Sequence, residues 1–257
     1  MAEVKIDPEI FPKRLSTYLF GVCFLLVICD VVFTYLDVTG YYLFRRTFDM
    51  TREESIPNWY ASILLFLIGL TCSLLAVVHS AVKSDRSFVS TWLFFAIFFV
   101  FLSADDGARI HERAGPFFKD LTQNGIAGFQ VFGGVLESSA TYSWQIFVLP
   151  IFLFVGFFML IWGHQHIVNK RAKMWLLVGA GCIAVAIALD YFEGLVKYNV
   201  VSLDDRFISA ETIEHFQRVI EEFLEVTGFI LVLRGLSAHL LELMDTSRLT
   251  VSTSQKP

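Results

Sequence analysis

The side chains of this sequence best suited to holding an ion or moving a proton are carboxylates and imidazoles, and they cluster. Asp30 and Asp37 are seven residues apart, as are Asp105 and Glu112, and His215 and Glu222. At about 100° per residue each such pair shares a helix face. Asp190 and Glu193 are three apart, as are Glu222 and Glu225, which makes them neighbours on a helix surface. Carboxylates crowded into a medium of low dielectric repel one another unless cations compensate. A divalent metal is one compensator: oxygen ligands with one or two imidazoles suit iron, manganese or zinc, and all-oxygen sets suit calcium or magnesium. Protons are another, giving a relay or coupled transport. Arg109, Arg113 and Arg218 offer a third, as structural ion pairs. The metal reading takes His111, Glu112, Asp190, Glu222 and Glu225 as ligands of an iron, manganese or zinc ion, with Asp105 or Asp106 as a further ligand or general base.

Membrane helices must position these groups. Of the 257 residues 55% are hydrophobic and only 18% charged, with a mean hydropathy of +0.61. That composition cannot supply the polar surface of a soluble globular enzyme, and it is too apolar for a disordered chain. Runs long enough to span a bilayer fall at about 16–38, 58–82, 89–103, 143–163, 174–192 and 223–243. The third is short and is expected to continue as a helix through Arg113, although a break near Gly107 would change the register of His111 and Glu112. The first run is too long for the apolar core of a signal peptide and reads as a retained span. The expected fold is all-α: a polytopic membrane bundle of about six transmembrane helices, forming one domain over 1–257. Basic residues are denser in the shorter loops on the side of the termini, so both termini are expected in the cytoplasm, as an N-terminal segment 1–15 and a tail 245–257.

The long connections 39–57, 115–142 and 194–217 then face outward, and the acidic groups of spans one, three, five and six all meet at that face. Spans two and four carry no Asp, Glu, Lys or Arg between Asn58 and Val82 or between Ser143 and Gly163. They are expected as lipid-facing walls around a core of the other four. Arg234, within span six, is expected to reach the headgroups or to pair with an acid such as Asp30.

The four Cys fall inside spans, where small apolar packing is their default role. Phosphate loops, GxSxG, HExxH and CxxC pairs are absent, and so is a basic face for nucleic acid. The arrangement resembles the di-iron bundle proteins, but it lacks their Glu-x-x-His signature: Ala108 stands three before His111, and Thr212 three before His215. The segment S-A-D-D-G-A-R-I-H-E-R-A-G, Ser103 to Gly115, resembles a Ser-x-Asp-Asp/Glu...His-Glu-Arg segment of uncharacterised bacterial multi-pass membrane proteins. That resemblance implies a bacterial cytoplasmic (inner) membrane location and no particular activity. The expectation is thus an outward-facing metal pocket acting on a lipid or lipophilic substrate, with the bilayer and a lipophilic small molecule as partners. The alternatives are a cation- or proton-coupled transporter or channel component, or a non-catalytic membrane subunit.

Overall fold

The computed structural model describes residues 7–82, 85–110, 113, 145, 148–197 and 210–254, excepting the side chains of 195–197, 210–211 and 246–254. Described residues form α1 (Ile10–Cys29), a π-helical turn continuing it (Asp30–Tyr35), α2 (Tyr42–Phe48), α3 (Ile56–Ala81), α4 (Arg86–Ala108), α5 (Leu149–His166), α6 (Lys170–Lys197) and α7 (Ala210–Ser254). Among them, six helical stretches are long and apolar enough to cross a membrane: Ile10–Tyr35, Ile56–Ala81, Arg86–Ala108, Leu149–His166, Lys170–Gly194 and Thr212–Asp245. The chain is therefore an all-α bundle of the multi-pass membrane class.

Local signals set the helix starts. The Ser55 hydroxyl accepts the Asn58 N–H at 3.3 Å, with Pro57 just inside α3, where a missing N–H costs nothing. Asp85 accepts the Ser87 N–H ahead of α4. Asn169 caps α6 by accepting the N–H groups of Arg171 and Ala172. Glu9, just before α1, pairs with Arg171 at 2.9 Å, so α1 and α6 start at the same end of the bundle. We call this the terminal end and its opposite the loop end.

α7 is the central post, packed against α6, α3 and α1, while α3 also pairs closely with α4. Lipid tails are as apolar as side chains, so helices in a membrane associate through close contact, and small residues permit it. Along the α6–α7 seam Ala172 and Gly179 face Gly235 and Gly228. A Cβ on Gly228 would fall 2.5 Å from Ile183 Cγ1 and 2.8 Å from the Gly179 carbonyl oxygen; one on Gly235 would fall 2.9 Å from that of Ala172. α5 attaches by aromatic rings instead. Trp162 packs on Trp92 at 4.9 Å between centroids, Phe158 on Phe95 at 5.6 Å and Phe152 on Phe98 at 5.9 Å.

Several expectations are corrected here. Span two is no lipid-facing wall: 56% of the apolar stretch of α3 is buried inside the bundle, against 22% for α1, α4 and α6 and 17% for α5. Leu64, Ile68, Cys72 and Leu75 of α3 are fully buried. α5, by contrast, has the lipid exposure expected of span four. α4 does not run unbroken to Arg113: it ends at Ala108, where Arg109 turns left-handed at φ 57° and donates its N–H to the Asp105 carbonyl. The seven-residue spacing from Asp105 to Glu112 thus crosses a helix end and no longer defines one face. The π-turn likewise breaks the register between Asp30 and Asp37. Arg234 does not pair with Asp30, whose carboxylate is taken by Met50 and His215, but lies over the Trp175 ring, its Cζ 3.9 Å from the centroid.

Candidate functional site

The loop end gathers polar groups from the 39–55 connection and from five helices. On the α3–α4 side, the Ser62 hydroxyl donates to the Asp106 carboxylate, and the Ser103 hydroxyl donates to the Ser62 carbonyl at 2.8 Å. The Asn58 side-chain amide donates to the backbone carbonyls of Glu53 and Asp106, and the Arg109 guanidinium pairs with the Glu53 carboxylate. Asp105, one residue before Asp106, is buried at 4% exposure. The left-handed turn at Arg109 thus does more than end α4. It leaves the guanidinium pointing back to the loop acid.

On the α1–α7 side lies a pair that sequence spacing does not reveal. Asp30, with no exposed surface, accepts the Met50 N–H at 3.0 Å on one carboxylate oxygen and the His215 Nε2–H at 3.1 Å on the other. The Tyr35 ring stacks on the imidazole at 5.6 Å. The π-turn puts Asp30 and Tyr35 where they meet α7, and α2 folds back beside it. Phe33 packs on Phe44 and Phe48, and the Thr34 hydroxyl donates to the Arg45 carbonyl. A carboxylate bound to one ring nitrogen fixes the tautomer and leaves the other nitrogen as the basic atom.

On the α6–α7 side, Arg218 pairs with Glu193 at 2.6 Å and Glu214 at 3.1 Å. The Gln145 amide donates to Asp190 at 2.7 Å, and the Gln217 amide to the Leu189 carbonyl. Between the two sides α7 presents Glu221, Glu222 and Glu225. The charges of Glu225, Glu221, Asp106 and Glu53 all act on Glu222, and those of Asp190, Glu193 and Glu225 act on Glu221. Acids from the 39–55 connection, α4, α6 and α7 therefore share one region. Asp7 and Glu54, outside the spans, are ordinary by comparison: each lies below the usual carboxylate range, Asp7 through the Ile10 and Glu9 N–H groups and Glu54 through Arg46.

Of the expected site residues, the structure brings Asp106, Asp190, Glu222 and Glu225 into this region and buries Asp105 beside it. His111 and Glu112 lie outside the described residues. Among the described residues, no group of three or more His, Cys, Asp or Glu is arranged to hold a metal ion. One alternative explanation of the acids falls away: α7 begins at Ala210, so Glu221 and Glu222 are three turns inside it and do not decorate a helix N-terminus. One argument for a site role falls away too: α6 continues to Lys197, so Asp190 is not in its last turn, where the helix dipole would demand a partner for a carboxylate. Sequence reasoning missed Glu53 altogether: it sits among other charges in a connection with no helical spacing to mark it.

No curated protein and no solved structure matches the chain. A family model does, over residues 18–240, a range that reaches from within α1 to within α7 and includes the acids of the loop end. The chain belongs to the family described as a domain of unknown function, DUF8692.

Proposed function

We propose that the loop end is an outward-facing, metal-dependent site, and that the protein is an enzyme acting on a lipid or other lipophilic substrate at the bacterial cytoplasmic membrane. The observation that carries this reading is the set of carboxylates acting on Glu222 inside the bundle, drawn from elements far apart in sequence. Arg109 and Arg218 engage Glu53, Glu193 and Glu214, and a divalent cation would add positive charge where α7 brings Glu221 and Glu222 among these acids. In this reading Glu222, Glu225 and Asp190, with His111 and Glu112, hold an iron, manganese or zinc ion, whose contribution would be Lewis acidity. Asp105 or Asp106 serves as the general base. His215, oriented by Asp30, is a second candidate for that role.

An enzyme is favoured over a transporter by what lies beneath the acids. Below Glu225, α7 continues with Phe229, Ile230, Leu233 and Leu236, packed with Leu64, Leu65, Ile68 and Leu75 of α3, all at most 5% exposed. A transporter needs a path across that layer, whereas a lipid enzyme needs only an opening at its own face. Elemental analysis of the detergent-purified protein tests the reading. Wild type and Glu214→Gln should carry near-stoichiometric transition metal, while Glu222→Gln and Glu225→Gln lose it. A wild type free of metal, whose melting temperature ignores chelator, would overturn it.

A further inference from the structure

α5 and α6 are joined by a short turn at 167–169, yet they follow different partners. Aromatic rings hold α5 to α4, and the glycine seam holds α6 to α7. The two helices therefore leave a cleft of about 90 Å³, floored by Phe99, Phe229 and Val232 and walled by α5 and α6. Its walls are smooth where Gly156 and Ala180 face it, and a Cβ added at Gly156 meets nothing within 4 Å. One side is open to the bilayer, where Leu177 of the wall is 53% exposed.

The cleft has a polar end. Lys173 and His164 line it at the terminal end, and the Lys173 ammonium donates to the His164 carbonyl at 2.5 Å, leaving two further N–H groups. The stretch 164–173 contains Lys170, Arg171 and Lys173 and no Asp or Glu. Arg171 is engaged by Glu9, while Lys170 is exposed. From Lys173 to Ile183, the deepest α6 residue of the wall, is ten residues, or about 15 Å of helix rise. That is half of a ~30 Å hydrocarbon core, the depth of one leaflet.

From this geometry we infer that the α5–α6 cleft binds an anionic glycerophospholipid, one acyl chain lying between the helices and the headgroup phosphate resting on Lys173 and Lys170. The apolar walls alone would accept any lipid tail; the cations at the mouth select a negative head. Each cation near a membrane surface strengthens such binding about fivefold. The cleft lies at the end opposite the acidic site, so this inference stands independently of the function proposed above.

Phosphatidylglycerol, phosphatidylcholine of the same chains, and inorganic phosphate, each titrated into the detergent-solubilised protein with thermal unfolding as readout, test it. Wild type should bind phosphatidylglycerol about 25-fold tighter than phosphatidylcholine, two cations at about fivefold each, and ignore phosphate. Lys173→Gln should cut that preference about fivefold, and Gly156→Leu, which fills the cleft without a backbone clash, should weaken binding of both lipids. Arg86→Ala, a cation at the same end but not in the cleft wall, should leave the preference intact. Each ratio is taken within one variant, so a change in that variant's own stability cancels. Equal affinity for the two lipids in wild type, an unchanged preference in Lys173→Gln, undiminished binding of both lipids by Gly156→Leu, or a phosphate response matching that of the lipid would each overturn the assignment.

Discussion

α7 passes through two environments. From Gly228 to Leu240 it touches its neighbours through buried Ile230, Leu233 and Leu236 and through Gly228 and Gly235, which bring it against α6. From His215 to Glu225 it touches them through charges: His215 on Asp30, Arg218 on Glu193, and Glu222 amid four other carboxylates. In the first half, position is fixed by how closely surfaces fit, and dispersion falls off steeply with any gap. In the second it is fixed by pairs that tolerate small displacements but not the loss of a partner. The two halves should therefore fail to different substitutions.

The largest effect is expected where there is no room. Gly228→Leu should abolish a monodisperse species on gel filtration, and Gly228→Ala should cost about 3 kcal/mol, because its neighbours include the Gly179 carbonyl rather than only flexible side chains. A Gly228→Leu protein that assembles and melts like wild type would mean the seam is not closed, and the contrast between the halves would collapse. Next comes the buried pair. Asp30→Ala should cost about 3 to 5 kcal/mol, since it strands both the Met50 N–H and His215, while Asp30→Asn, which keeps an acceptor, should cost less. A double-mutant cycle with His215→Ala sharpens this: a coupling below about 0.5 kcal/mol would show that the two act separately.

A smaller effect is expected at Arg234, the one charge within the fitted half of α7. Its partner is the Trp175 face, so Trp175→Leu should cost about 1 kcal/mol in thermal unfolding, and Trp175→Phe less. The smallest belongs to the exposed Arg46–Glu54 pair of the loop end. Glu54 lies below its usual range in the folded protein, so its contribution is present at neutral pH and disappears as pH falls through and below the ordinary carboxylate value. Glu54→Gln should thus melt slightly below wild type at neutral pH and converge with it in acid. Divergence in acid instead would reverse the sign of the pair.

The six spans were legible because length and apolarity are all a bilayer demands of a helix. Which of them form the core was not. α3 lacks charge, and that suggested a lipid-facing wall, yet a membrane core excludes charge as firmly as lipid does. Its burial follows from Leu64, Ile68, Cys72 and Leu75 finding α4 and α7, which no hydropathy scale distinguishes from finding acyl chains. The convergence of acids at one end was visible, because alternation of span direction places Asp106, Asp190 and Glu222 together. The pairing of Asp30 with His215, across 185 residues, was not. Asp30 also opens a π-turn, and nothing in the Asp30-Val31-Val32-Phe33-Thr34-Tyr35 sequence announces one.

That turn also limits how the chain can change length. A π-helical turn holds one residue more than the α-helical turn it replaces. Removing any single residue between Asp30 and Tyr35 would leave a longer, better-bonded α-helix that still spans the membrane. The two ends would keep their orientation, because the π-turn closes one turn just as the α-turn that replaces it does, so Asp30 stays on the face that meets α7. A residue removed from α1 before Asp30 has no such compensation: it would rotate Asp30 by about 100° relative to the start of the helix and carry it away from His215. A one-residue deletion there, harmless by every hydropathy criterion, should separate Asp30 from His215 as surely as substituting Asp30. Members of the family that keep both residues are therefore expected to change length within the π-turn sooner than in the α-helical turns before it, while the lipid-facing length of α5 is free to drift.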